Sequence, residues 1–176
     1  EGLGEGFEDS SVRHSIAADL ALADHYEVTS GDLELAVLRQ ARIHDPNALA
    51  LLTSVPGIGK VLALTILYEI HDIARFPSVR DFASYSRLVK CERTSAGKSL
   101  GSGGNKIGNA YLKWAFSEAA VLFIAKSELG RTVLTLLERK YGKPKALSVL
   151  AHKLGRAVYY MLARKQAFDP QRFATS

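Results

Sequence analysis

The sequence predicts an all-α fold with a basic loop set between its helices, and three features lead there. Apolar residues recur at three- and four-residue spacing, and no segment alternates with the two-residue period of a half-buried strand. The helical stretches are punctuated by Asp45-Pro46, by Val55-Pro56-Gly57-Ile58-Gly59 and by Gly142 with Pro144 beyond it. With 176 residues, 47% hydrophobic and 23% charged, the chain has globular proportions and suits one core, or a compact domain carrying an extended arm.

The elements follow in order. The opening EGLGEGFEDSS is glycine-rich, acidic and without period, so a disordered start is expected. Val12, Ile16, Leu20, Leu33, Val37 and Leu38 mark one or two amphipathic helices from Ser10 to about His44, interrupted near Thr29-Ser30-Gly31. Residues 1–46 are therefore expected to form a disordered start and helical arm, and residues 47–176 a helical domain. Within that domain the pattern predicts a short helix near Asn47–Ser54, a tight turn, an apolar helix from Lys60 to about His71, and a helix near Ser78–Tyr85 capped by Ser78. A glycine-rich loop without apolar period occupies 87–109. Helices are expected beyond it at Asn109–Ser127, Arg131–Tyr141 and Pro144–Lys165, the last two divided by a glycine stop and a proline start.

Charge is unevenly placed. The net charge is +5, but residues 1–60 hold four basic and ten acidic side chains whereas residues 87–165 hold sixteen basic and four acidic. A surplus of that size makes the second half the candidate polyanion-binding half, set against the plainer reading of solvated helix faces. The longest apolar stretch, around 119–125, is far shorter than the roughly 20 residues of a membrane span. Cys91 is the single cysteine, as expected of a reducing compartment. The sequence opens on Glu1 rather than Met, and an excised fragment is expected.

Two segments carry candidate chemistry. In LLTSVPGIGKVLALTIL, Gly57 and Gly59 let backbone approach a ligand closely, the next helix starts with unpaired N–H groups, and Lys60 stands beside them. That spacing resembles a helix-hairpin-helix, which grips sugar-phosphate backbone without reading sequence. The same residues also read as a tight connection between core helices, with Ile58, Leu62 and Ile66 buried either way.

The second segment is the loop. It offers hydroxyls at Thr94, Ser95, Ser99 and Ser102 among the cations Arg87, Lys90, Arg93, Lys98 and Lys106, with Lys113 just beyond. A serine can attack a phosphodiester when cations stabilise the charge developing on the phosphoryl oxygens. No histidine lies in the loop and Glu92 is its one carboxylate, so no base is evident, and a solvated linker is the competing reading. SLGSGGNKIG matches neither the P-loop nor the dinucleotide spacing, and no strand precedes it. Tyr111, Trp114 and Phe116 read chiefly as core, Tyr159 and Tyr160 lack the surroundings of a tyrosine nucleophile, and the five histidines show no metal-ligand spacing. No cofactor or metal ligand is assigned within the chain.

Three stretches taken together resemble the C-terminal domain of the insertion-sequence 110/116/902 family transposases, the RNA-guided bridge recombinases. They are VPGIGKVLALTILYEIHDIARFPSVRDFASYSRLV, ERTSAGKSLGSGGNKIGNAYLKWAFSEAA and KALSVLAHKLGRAVYYML, in the family's order from about Leu51 to Leu162. The resemblance implies a DNA transposase or recombinase of two domains, in which a RuvC-like domain supplies acidic ligands for a divalent metal, magnesium above all, and this domain supplies a serine that joins covalently to DNA. The family's Ser-Ser-Gly-Gly-Lys run corresponds here to Thr94-Ser95-Ala96-Gly97-Lys98, which makes Ser95 the candidate nucleophile and leaves Thr94 as the alternative hydroxyl. It further implies DNA and a structured guide RNA as partners, no membrane, and a prokaryotic, cytoplasmic, nucleoid-associated setting. The fragment alone is expected to be inactive, and residues 10–44 are a candidate homo-oligomer contact. The reading set against it is a non-catalytic helix-hairpin-helix binding module.

Overall fold

The computed structural model describes residues 7, 9–89, 94, 95, 98, 99 and 107–175, with backbone alone for residues 42, 94, 95, 98 and 99. By its contacts the chain divides into two units, Glu1–Gln40 and Ala41–Ser176. The first is helix. α1 spans Ser10–His44, 35 residues without a break, so the interruption expected at Thr29-Ser30-Gly31 is absent. Glycine inside a helix costs about 1 kcal/mol against alanine but removes no hydrogen bond, and the residues around it carry the helix through. Asp9 starts it: one carboxylate oxygen accepts from the Ser11 N–H (2.8 Å) and from the Ser11 hydroxyl (2.7 Å), which holds the Asp9 carboxyl below its ordinary range.

The second unit begins with a capped turn. Asp45 accepts from the Ala48 N–H (2.8 Å) and Pro46 takes the first helical position of α2 (Pro46–Thr53), where its missing N–H costs nothing. α3 (Lys60–Ile70) follows, then a 3-10 turn over Ile73–Arg75 capped by Asp72, and α4 (Val79–Tyr85) capped by Ser78. α5 spans Ala110–Lys126, α6 Glu128–Tyr141, α7 Lys143–Arg164 and α8 Pro170–Thr175. α5 and α7 form the centre: α3, α6 and α7 pack on α5, while α4, α6 and α2 pack on α7.

The core is aromatic and aliphatic. Phe82, Phe116, Phe123, Leu112, Leu150 and Leu154 are fully buried, and each such side chain contributes roughly 1.5–3 kcal/mol by leaving water. Phe82 meets Phe116 edge-on at 6.0 Å and Phe76 at 5.2 Å, which binds α4 to α5 and to the 3-10 turn. Gly155 lets Leu88 reach the surface of α7, since an added Cβ would fall 2.3 Å from Leu88 Cδ1.

The all-α expectation holds, with three departures in detail. α6 starts at Glu128 rather than near Arg131, because the Ser127 hydroxyl accepts from the Gly130 N–H (3.4 Å) and caps the helix earlier. α8 and the 3-10 turn have no counterpart in the sequence reading; both are too short to show a period. Within the loop, β1 (Thr94–Ser95) and β2 (Lys98–Ser99) pair antiparallel, Thr94 opposite Ser99 and Ser95 opposite Lys98. Two residues a side show no alternation that a sequence could reveal.

Candidate functional site at the neck of the basic loop

The loop leaves and rejoins the core at one place. α4 ends at Tyr85; Arg87 turns left-handed with φ 53, and the Leu88 N–H returns to the Ala83 carbonyl (2.9 Å). On the returning side Gly108 has φ 100, and a Cβ there would stand 2.6 Å from the Tyr85 carbonyl oxygen. Only glycine fits such a backbone so close to another. The Asn109 N–H donates to that same Tyr85 carbonyl (2.6 Å), and Arg87 Nε donates to the Gly108 carbonyl (2.9 Å). Both ends of the loop are thus fastened to each other.

Asn109 fastens them to the rest of the fold. Its Oδ1 accepts from the Leu112 N–H (2.9 Å) as the N-cap of α5, and its Nδ2 donates to Glu69 Oε2 (2.5 Å) with Tyr85 Oη at 3.5 Å. One side chain therefore joins the end of α3, the end of α4 and the start of α5. The Arg75 guanidinium lies 4.7 Å from the ring centres of both Phe76 and Tyr85. The Asn109 hydrogen bond draws the Tyr85 phenol below its ordinary pKa and Arg75 acts in the same direction, against desolvation and the Glu69 charge. Sequence reading passed over Glu69, Tyr85 and Arg75, which carry no motif and lie in three different elements.

The candidate residues do not all converge. Arg87 is in the neck and Lys113 is exposed one turn into α5. Ser95 and Lys98 are the paired positions of β1 and β2. Lys90, Arg93 and Lys106 lie outside the described residues. Gly57, Gly59 and Lys60 are at the other end of the unit. Gly57, at φ 97, packs against the α5 backbone, where a Cβ would fall 2.5 Å from Phe123 N. Phe123 is fourteen residues past Asn109 on the same helix, roughly 20 Å along its axis. Gly57 therefore serves helix packing, while Gly59 and Lys60 are exposed at the start of α3.

The aromatic residues beside the neck divide. Phe116 is core, but Tyr111 is 65% and Trp114 45% exposed on the first turns of α5, so the reading of all three as core is corrected for two. Tyr159 donates its hydroxyl to the Phe76 carbonyl (3.2 Å) and stacks obliquely on Phe82, a packing role. Among the described residues no three His, Cys, Asp or Glu side chains gather as a metal set, and no helix is long and apolar enough to cross a membrane.

A family model described as "Transposase IS116/IS110/IS902 family" matches residues 49–134, from α2 through the neck and loop into α6. Over that stretch, about half of its length, the chain is similar to this transposase family. Two curated relatives agree with the match. The transposase for insertion sequence element IS1111A of Coxiella burnetii is 28% identical over 120 residues, 65% of this chain and 33% of that protein. The y4pF/y4sB protein of Sinorhizobium fredii is 27% identical over 124 residues, 66% of this chain and 32% of its own length. The chain thus spans about a third of the length of these relatives.

Proposed function

We propose that this chain is the part of a transposase that holds DNA at the basic loop and presents Ser95 as the nucleophile for strand cleavage. One observation carries the reading: inside the family-matched stretch, the segment bearing Thr94-Ser95-Ala96-Gly97-Lys98 is clasped at its neck by Arg87, Gly108, Asn109 and Tyr85. A nucleophile has to project from the core and still be held in register with its target, since a misplacement of about 1 Å can cost ~100-fold in rate. The clasp answers that need. The backbone register sets Ser95 opposite Lys98, and Lys113 with the exposed Tyr111 and Trp114 supports docking of DNA beside the neck.

The reaction balances without an outside energy source. The Ser95 hydroxyl oxygen bonds to phosphorus, the bond from phosphorus to one deoxyribose oxygen breaks, and that oxygen leaves as a hydroxyl carrying the proton the serine gave up. One phosphodiester becomes another. The reverse step, with a different DNA hydroxyl attacking the phosphoserine, rejoins strands in a new order. A RuvC-like domain elsewhere in the enzyme, with a divalent metal such as magnesium, belongs to the same proposal, as does a structured guide RNA, and the chain alone is expected to be inactive.

The test is a denaturing gel of the complete enzyme with end-labelled DNA. Ser95→Ala should abolish the protein-DNA adduct while leaving DNA binding nearly unchanged, because the loop's charge is the same; Thr94→Ala should be milder. An adduct that persists in Ser95→Ala and disappears in Thr94→Ala or Tyr159→Phe would overturn the assignment of the nucleophile, and an active enzyme that never forms an adduct favours the binding-module reading.

A further inference from the structure

A cleft of about 830 Å³ lies between α6, α7 and α8, within the size range of sites that take a nucleotide-sized ligand. α7 lines it with Lys153, Arg156, Tyr160 and Arg164, spaced three and four apart and so on one face. Gly155 and Tyr159, which meet Leu88 and Phe76, lie on another face. The cleft is therefore separate from the loop neck. α6 adds Lys140 and Tyr141, and α8 adds Arg172.

The lining is cationic and aromatic together. Asp169 is its one carboxylate, and its Oδ1 already accepts from the N–H groups of Gln171 (2.9 Å) and Arg172 (3.1 Å) at the start of α8. Among the described residues no carboxylate lies within ion-pair distance of Lys140, Arg156, Arg164 or Arg172. Three of the lining cations sit against rings: Arg164 is 4.6 Å from the Tyr160 centre, Lys153 5.0 Å from Phe173 and Lys140 5.2 Å from Tyr141. Burial first, and Arg156 nearby second, push His152 and Lys153 below their ordinary pKa values. Tyr141, 44% exposed at the end of α6, leaves an aromatic surface open at the wall.

We propose that this cleft binds a single strand of nucleic acid, its cations holding successive phosphates and the Tyr141 ring stacking on one unpaired base. Bases in a duplex stack on one another and offer only their edges in the grooves, whereas an open strand offers the face that an exposed tyrosine needs. Lys140 beside Tyr141, with Arg156 and Arg164 along α7, supplies phosphate partners on either side of such a base. The inference rests on the reading of this chain as a nucleic-acid-handling part of a transposase, and adds to it a second site for displaced or unpaired strand.

Fluorescence anisotropy of the full chain with a short labelled oligo(dT), alongside a mixed-sequence duplex, tests it. Tyr141→Ala should weaken oligo(dT) binding about five-fold or more, while Tyr141→Phe, which keeps the stacking face, stays near wild type. Lys140→Gln with Arg156→Gln should flatten the slope of log affinity against log salt by about 1.4, two phosphate contacts at ~0.7 each on a single strand. All these side chains are exposed, so the variants should keep the wild-type circular dichroism and melt. The proposal is overturned if Tyr141→Ala binds oligo(dT) like wild type, or if poly-glutamate displaces the oligonucleotide as well as unlabelled oligo(dT) does. Should Lys113→Glu lower duplex affinity while the cleft variants change nothing, the cleft is excluded and the loop reading survives; loss of the Ser95 assignment in the adduct gel leaves the oligo(dT) result where it was.

Discussion

Gly57 and Gly59 are two residues apart and do different work. At Gly57 the left-handed φ and the 2.5 Å approach to Phe123 N forbid any side chain, so Gly57→Ala should destabilise the fold by about 3 kcal/mol, the sum of backbone strain and overpacking. At Gly59 nothing lies within 4 Å of an added Cβ and φ is −83. Gly59→Ala should therefore change the unfolding free energy read from urea titration by no more than about 0.5 kcal/mol, and any loss of DNA affinity it causes is then a contact effect. His152 supplies a pH dependence. Burial first and Arg156 second lower its pKa below 6.5, so the unfolded chain binds the proton more readily than the folded one. The associated stability is present above about pH 6.5 and is lost as pH falls towards the lowered folded value. Urea midpoints measured on either side of that pH should converge in His152→Gln; an unchanged gap between them would place the acid sensitivity elsewhere.

At the scale of elements, the junction of α3, α4 and α5 depends on Asn109. Asn109→Ala removes an N-cap and leaves Glu69 without that donor, so a loss of about 2 kcal/mol or more is expected from denaturant titration. The more telling variant is Asn109→Asp. It keeps an oxygen for the cap but sets a carboxylate against Glu69, so it should be destabilised most near neutral pH and recover as the pair takes up a proton. α1 poses another question. Leu22, Tyr26, Leu33 and Val37 fall on one side of it and Leu20, Val28 and Leu35 on another, all exposed in the described unit. An exposed apolar surface of that extent is expected to meet a partner. Light scattering should give a mass above the monomer for the whole chain and the monomer mass after removal of residues 1–40; monomer in both cases would rule out self-association through α1.

For the molecule as a whole, the proposed duplex binding should be steeply salt-dependent, given the excess of cations over residues 87–165, because each phosphate contact releases condensed counterions. Replacing Lys98, Lys106 and Lys113 together with Glu should weaken binding to every sequence alike, read by anisotropy over a salt series. Full affinity in that variant would move the docking surface away from the loop.

The sequence by itself determined α2 to α5 and α7, the stops at Asp45-Pro46 and Gly142, the Ser78 cap, the place of the basic loop and the family resemblance. These rest on periodicity and capping, which act over three to seven residues and are written into neighbouring positions. It did not determine the unbroken run of α1, the early start of α6, the 3-10 turn or α8. Only the tertiary structure decided that Gly57 faces α5, that Tyr111 and Trp114 stay exposed while Phe116 is buried, and that the cations of α6, α7 and α8 gather around one cleft. The loop neck belongs to the same class. Its central bond joins Glu69 to Asn109 across 40 residues, and no local pattern announces a partner so far along the chain, because the contact exists only once α3 and α5 have packed against each other.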